Sequence, residues 1–560
     1  MRLINKIKIY FLVFTSVCVG FSCDSDLEYE DEKAFSEDLV WAEYDYIRRS
    51  MAAVYARVPK VQAHVDGAYL ASATDDSDHS NESSDVARYN RGSWDMHNNP
   101  LDSWERNYRG IYLANEFIRN IDTVTLYNER FNETNYEAFL EDVERYKGEA
   151  RFLKAYFHFE LLKRYGGIPI MDEVSSIENG VDLPRNSYNE VVDYIAETCD
   201  SAMNYMPDYV SADVDYGTAS DAAALALKSR AYLYAASELN NQSGTHDNYY
   251  DSCAVASAAI INMGHFQLEN YGDLFTAMDG KQTKNLEVIF DFREGTSNDL
   301  EINNYPVGYD KGKGFTNPSQ NLVDAYEMTD GTTFDWNDPV HAADPYLNRD
   351  ARFYASIIYN GATVQGREVE CYTGGLDAPG QTDFYGTKTG YYLKKGLNMD
   401  LDLVSDGKSK HYWFYFRYAE VLLNYAEAMN ELYGPDSDPN AYGLTAREAI
   451  NMVRTRAGQP DLSAVTAPDQ DTFRERLRNE RRVELAFEDH RFWDVRRWMI
   501  GNETLGATVK GVDVVKNEDD TFTYTVKDVE NRVFEDKMNF FPIPYDEMRS
   551  TSNLTQTTGW

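Results

Sequence analysis

The sequence predicts a mainly α-helical protein, built from helix pairs stacked in a repeat-like array around a loop-rich region with short strands. Three observations carry this reading. Apolar residues recur at three- and four-residue spacing in long segments near both ends of the chain. In "AALALKSRAYLYAAS", residues 223–237, small alanines stand among large aromatics, which lets neighbouring helices approach closely. From about 266 to 410 that period lapses into a stretch rich in Gly, Tyr, Asp and Asn.

The chain opens with Arg2, Lys6 and Lys8 before an apolar run from Ile9 to Phe21, too short for a comfortable membrane span. Gly20-Phe21-Ser22 then precede Cys23, the arrangement that a lipoprotein peptidase cuts before the cysteine is acylated. Residues 1–22 are therefore expected to be a lipoprotein signal and Cys23 the lipid anchor. The alternative is a signal cleaved nearby, with Cys23 an incidental thiol. Residues 23–36 are acidic and poor in apolar side chains, as suits a surface tether.

A single domain is expected over 37–560, with a helical scaffold at about 37–265 and 411–500, a loop-rich insertion at 266–410 and an irregular part at 501–560. Helical periodicity marks 39–58, 104–122 and 146–170, the last carrying Ala150, Leu153, Phe157 and Leu161 on one stripe. Gly166-Gly167 and Pro169 should terminate it. Between the first two helices lies "ATDDSDHSNESSDVARYNRGSWDMHNNP", residues 73–100, which has no period and reads as a long solvated loop. "LEVIFDF" at 286–292 reads as a strand. Helices return at 413–434, at 445–458 before Gly458 and Pro460, and at 473–498. No strict period of roughly 34 residues survives, so any tetratricopeptide-type array is degenerate.

With 54 Lys plus Arg against 93 Asp plus Glu, the formal charge is −39, which repels phosphate backbones and argues against nucleic acid as a partner. Cys199, Cys253 and Cys371 lie far apart with no CxxC spacing, so zinc is not expected and the thiols should be buried. No HExxH, GxSxG or GxxxxGK[ST] occurs. "DDSDHSNESSD" has the composition of a calcium loop without the central glycine or closing spacing of an EF-hand, which leaves room only for a structural Ca2+ of another kind and otherwise implies no cofactor. Glu480, Glu484, His490 and Asp494 are close in sequence among Arg481, Arg491, Arg496 and Arg497, and ion pairing of a scaffold helix explains them better than catalysis.

Flat aromatic faces beside hydroxyl-binding polar groups are the makings of a small-ligand site. The 73–100 loop offers Asp75, Asp76, Arg88, Trp94, His97 and Asn98, and the central region offers Tyr309, Trp336, Tyr372 and Tyr385. Trp94 and Trp336 are expected to face solvent because "RGSWDMHN" and "TFDWNDP" surround them with polar, turn-forming residues, whereas Trp104 sits on a helix face and should be core.

"EARFLKAYFHFELLKRYGGIPI", "FRYAEVLLNYAEAMNE", "INMVRTRAG", "NERRVELAFEDHRFWDVRRW" and "FFPIPYDEM…NLTQTTGW", in that order, resemble the signature blocks of the SusD-like (RagB/SusD) family of surface glycan-binding lipoproteins. The resemblance implies a tetratricopeptide-like helical scaffold with a loop-rich half holding the ligand. It further implies oligosaccharide capture without catalysis, delivery to a SusC-like TonB-dependent outer-membrane transporter, and a cell-surface location on a lipid anchor. The acidic residues after Cys23, from Asp24 to Glu32, loosely resemble that group's export signal. The rival readings are a surface glycoside hydrolase, which needs two carboxylates across a cleft, and a structural or peptide-binding lid.

Overall fold

The computed structural model describes residues 41–560 apart from 61–64, 123, 125, 127–128, 132–133, 174–181, 211–216, 246–247, 276–284 and 381–384. The signal, the tether and Cys23 lie outside the described residues.

The scaffold begins with α1 (Tyr44–Tyr55), α2 (Trp104–Ile121) and α3 (Tyr136–Tyr165), continues through α4 (Tyr188–Met203), α5 (Asp221–Ala236) and α6 (Asn248–Asn262), and resumes with α7 (Tyr418–Tyr433), α8 (Ala446–Arg456), α9 (Gln470–Glu484) and α10 (His490–Arg497). Successive members pack as neighbours from α2 to α6, and α6 packs on α7 across the insertion between them. This is the tetratricopeptide-like array that the alanine-aromatic pattern predicts. Gly110 of α2 shows the close approach, since a Cβ there would stand 2.7 Å from the Phe157 ring of α3. Ala150, Leu153, Phe157 and Leu161 are fully buried, and Gly166, at φ 74°, ends the helix in the left-handed region that glycine tolerates. Helix α4 starts on a reciprocal cap in which Ser187 and Glu190 satisfy each other's backbone N–H groups.

Two strands link the helical and loop-rich halves. β2 (Val288–Arg293) pairs antiparallel with β4 (Tyr412–Arg417), and both are largely buried. The sequence pattern predicts one helix over 413–434. In the structure "YWFYFR" is a strand because consecutive bulky aromatics favour a pleated surface and β2 supplies their backbone partners. β1 (Ser77–His79) likewise pairs with β3 (Thr316–Pro318), aligning Asp78 with Asn317. The expected irregular tail instead contains a long hairpin, β5 (Thr508–Lys516) and β6 (Phe522–Asn531).

The single charged helix expected at 473–498 is two, broken where Phe487 and Asp489 take φ of 63° and 66°. The break turns Glu488 onto Arg417 and Lys395, each at 2.7 Å. Around it runs a buried network in which Arg417 also meets Glu287 and Glu484, Arg352 meets Asp350 and Glu484, and Arg454 bridges Glu480 to Glu327. The charged segment therefore serves as scaffold, clamping α8, α9 and β4 to the insertion.

Candidate functional site

The β1–β3 ladder sets the geometry of a cleft on the loop-rich face. It brings the turn after His79 beside the 305–315 loop, where the Ser80 N–H donates to the Phe315 carbonyl at 3.0 Å. The Lys388 N–H donates to Asn317 Oδ1 at 3.0 Å, and the Val512 N–H to the Thr389 carbonyl at 2.8 Å, so the 385–389 segment is tied to both β3 and the hairpin. Thr387 Oγ1 accepts from the N–H groups of Thr389, Gly390 and Tyr391, which makes this turn rigid before any ligand arrives. Ser80–Ser83, Tyr385, Lys388, Lys527 and Asp528 line the resulting cleft of about 560 Å³.

Tyr385 is 37% exposed and leans on Phe315, which in turn packs against His79, with ring centroids 5.6 and 4.8 Å apart. The exposed edge of this aromatic stack meets polar groups of both signs: Glu82, Lys388 paired to Asp78 at 2.6 Å, and Lys527 paired to Asp513 at 2.6 Å. Such a site offers a flat apolar face with hydroxyl partners around it and little net charge.

A second cleft of about 560 Å³ adjoins it, lined by Tyr309, Gln365, Arg367, Leu401 and Val404 with Asp310, Asp400 and Asp402. Asp377 joins the two walls. Its carboxylate holds Arg367 at 2.7 and 2.9 Å and accepts the Gly308 N–H at 3.1 Å, while its carbonyl accepts from Tyr392. The Arg367 guanidinium lies 4.0 Å over the Tyr309 ring. Tyr309 is buried, donates to the Val364 carbonyl at 2.9 Å, and has its hydroxyl pushed up to about 12 by burial. It is wall rather than platform.

The other residues expected to bind sugar go elsewhere. Asp75 and Asp76 are buried, not solvated, and sit against Arg482 and Arg491 at 2.7–3.0 Å. Burial pushes both carboxyls up. Arg482 and Arg491 outweigh it for Asp75, which is held low, whereas Asp76 stays raised beside the charge of Asp75. The rest of "DDSDHS" is also buried, so the first part of the expected solvated loop is a buried connection pinned from the scaffold, while most of 91–100 stays exposed or half-buried. Trp94 is only 4% exposed, stacked on Tyr89 at 4.6 Å and packed against Trp560 and Phe541. The expectation that it faces solvent fails because its polar neighbours turn outward while the ring turns in. His97 and Asn98 are exposed, but His97 lies on Tyr545 and Asn98 accepts from Arg88 at 3.0 Å, in a turn beside the C-terminal segment. Trp336 is half-buried against Phe334 and donates to Asp324 at 3.1 Å, and Tyr372 is half-buried against Phe522. Of the ten residues expected, Tyr385 and Tyr309 alone line the two clefts.

Asn81, Glu82, Lys388 and Lys527 are cleft residues that the sequence pattern does not single out as sugar-binding. For Lys527 a signal exists, since "TFTYTVKDVEN" alternates as a strand does after the turn-forming "NEDD". Among the described residues no group of three or more His, Cys, Asp or Glu is placed to hold a metal ion. Cys199, Cys253 and Cys371 are free and buried, and burial pushes the Cys253 thiol up to about 12. No helix among the described residues is long and apolar enough to cross a membrane.

Fold and site together define a class: a helical-repeat scaffold that presents rigid loops with a partly polar, aromatic-edged cleft. Comparison with known proteins gives the family. Residues 286–560 match the model of the SusD family, and residues 28–233 match a model described as starch-binding, associating with outer membrane. The chain belongs to the SusD-like family. It is 25% identical over 90% of its length to SusD-like protein P38 of Formosa agariphila, covering 94% of that protein. A SusD-like protein of Bacteroides fragilis superposes with a TM-score of 0.79 at 29% identity, covering 94% of this chain and 99% of that one. A SusD-like carbohydrate binding protein from the same organism superposes at 0.76 with 23% identity, covering 92% and 100% of the two chains.

Proposed function

We propose that this protein captures an oligosaccharide in the Tyr385 cleft without cleaving it and passes it to a SusC-like TonB-dependent transporter, while acylated Cys23 holds it at the outer surface of the outer membrane. The observation that carries the reading is the preformed cleft with an exposed aromatic edge among hydroxyl-binding side chains. A rigid loop site costs little ordering on binding, which favours capture of a ligand that must later be released. The matched family described as associating with the outer membrane supports the location, and the Bacteroides fragilis relative described as carbohydrate binding supports the ligand class.

Calorimetric titration of the purified protein with neutral and acidic oligosaccharides, with chromatography of the same mixtures after long incubation, tests this reading. Saturable binding with intact sugars is expected. Chain shortening that a single carboxylate substitution abolishes would reassign the protein as a hydrolase. Absence of binding to any glycan would leave the lid reading in its place.

A further inference from the structure

A groove on the opposite kind of surface, the helical scaffold itself, also has the build of a ring-binding site. Trp104, Tyr108 and Tyr112 recur at four-residue spacing along one face of α2, about 6 Å apart in rise. They line a cavity of about 360 Å³ closed by Pro169, Met171 and Leu554, with Glu105, Arg109 and Glu547 among its lining residues. It shares no residue with the two loop clefts.

The rings are held in place. Trp104 is buried as the floor, edge-on to Tyr165 at 5.0 Å and tilted to Tyr108 at 4.8 Å. Tyr108 is half-buried with its hydroxyl donating to the Pro169 carbonyl at 2.9 Å, and Tyr112 is half-buried beneath the Arg109 guanidinium at 4.7 Å. Burial, with the neighbouring Asp102 and Glu105 carboxylates, pushes the Glu547 carboxyl up, against a hydrogen bond from the Trp104 side chain.

We propose that this groove is a second saccharide site, taking one or two neutral pyranose units. Three features select that ligand. The rings offer apolar faces for sugar C–H groups. Two carboxyls and one guanidinium stand by for hydroxyls, and their acidic balance disfavours uronate or sulfate. The volume of about 360 Å³ lies at the small-ligand end of binding sites.

The test separates this site from the loop cleft by reading Trp104 directly. The full chain carrying Tyr385→Ala is labelled with 5-fluorotryptophan, the Trp104 fluorine resonance is assigned with Trp104→Phe, and neutral gluco-, xylo- and manno-hexaoses are titrated in. A saturable shift of that resonance is expected. Tyr112→Leu, which keeps apolar bulk but removes the flat ring, should weaken it fivefold or more with an unchanged melting curve. No shift at Trp104 overturns the proposal, whether or not the unsubstituted protein binds sugar through the loop cleft. A shift that Tyr112→Leu leaves unaltered, or one produced by an apolar peptide and not by the sugars, overturns it as well.

Discussion

Trp94 and Tyr385 show how burial divides two aromatics that sit in similarly polar sequence. Trp94 lies between Tyr89, Phe541 and Trp560, contributed by two segments more than 400 residues apart, and no local pattern signals such a partnership. Truncating it should behave as a core deletion. Trp94→Ala is expected to cost about 3–5 kcal/mol, read from the denaturant midpoint, and to leave the loop cleft's affinity unchanged in whatever protein remains folded. Tyr385→Ala should do the reverse. Aromatic stacking is worth roughly 1–3 kcal/mol on the scale measured for bases, so sugar affinity should fall about five- to a hundredfold while the melting curve stays in place. A Tyr385→Ala protein that binds as well as its parent would place the platform elsewhere. What the sequence shows at this scale is residue type. Exposure depends on partners folded in from a distance.

Helices with their own periodicity were legible from sequence, and their ends were legible where Gly166 or Gly458 supplied a left-handed residue. Elements that need a distant partner were not. β4 carries the same aromatic richness as α7 and becomes a strand only because β2, more than a hundred residues earlier, offers its backbone groups. The break between α9 and α10 has no glycine to announce it, since ion pairs of Glu484 and Glu488 hold Phe487 and Asp489 in a conformation that costs on the order of 1–3 kcal/mol per residue. The end of α10 repeats the device. Met499 takes φ 56°, its N–H bonds the Arg496 carbonyl at 3.0 Å, and the Ile500 N–H bonds the Val495 carbonyl at 3.0 Å. This is the double hydrogen bond of a helix terminus that normally ends in glycine. Met499 is 38% exposed, so little packing opposes its replacement. Met499→Gly should raise stability by about 0.5–1 kcal/mol, as a higher denaturant midpoint. A lower midpoint would mean that the methionine side chain contributes more against Asn539 than its exposure indicates.

At the scale of the whole molecule, the chain joins a strongly negative surface to an interior threaded with paired charges, and the two respond to acid in opposite directions. Protonating exposed carboxylates, at about pH 4, relieves repulsion in a chain of formal charge −39 and so favours the compact state. The buried pairs then set the limit. Glu160 is buried against Lys163 and Arg164, and Glu427 is buried against Arg497 with the Trp498 indole N–H at 2.8 Å. In each, the cationic partners outweigh burial and hold the carboxyl down at about 2, against an ordinary value of 4.5. A depressed folded value means that the unfolded chain takes up the proton first as pH falls. The stability these groups contribute is therefore present above 4.5 and lost between 4.5 and 2, on the order of 3 kcal/mol for each. These two groups should make stability drop steeply below pH 4.5. Glu427→Gln should lower stability at neutral pH, because it leaves buried Arg497 with Asp494 as its one remaining charged partner among the described residues. The same substitution should make the acid limb shallower by one group's share. Chemical denaturation of both proteins between about pH 7 and pH 3 measures the two limbs, and parallel acid limbs would show that Glu427 ionises in the folded protein as it does in the unfolded one.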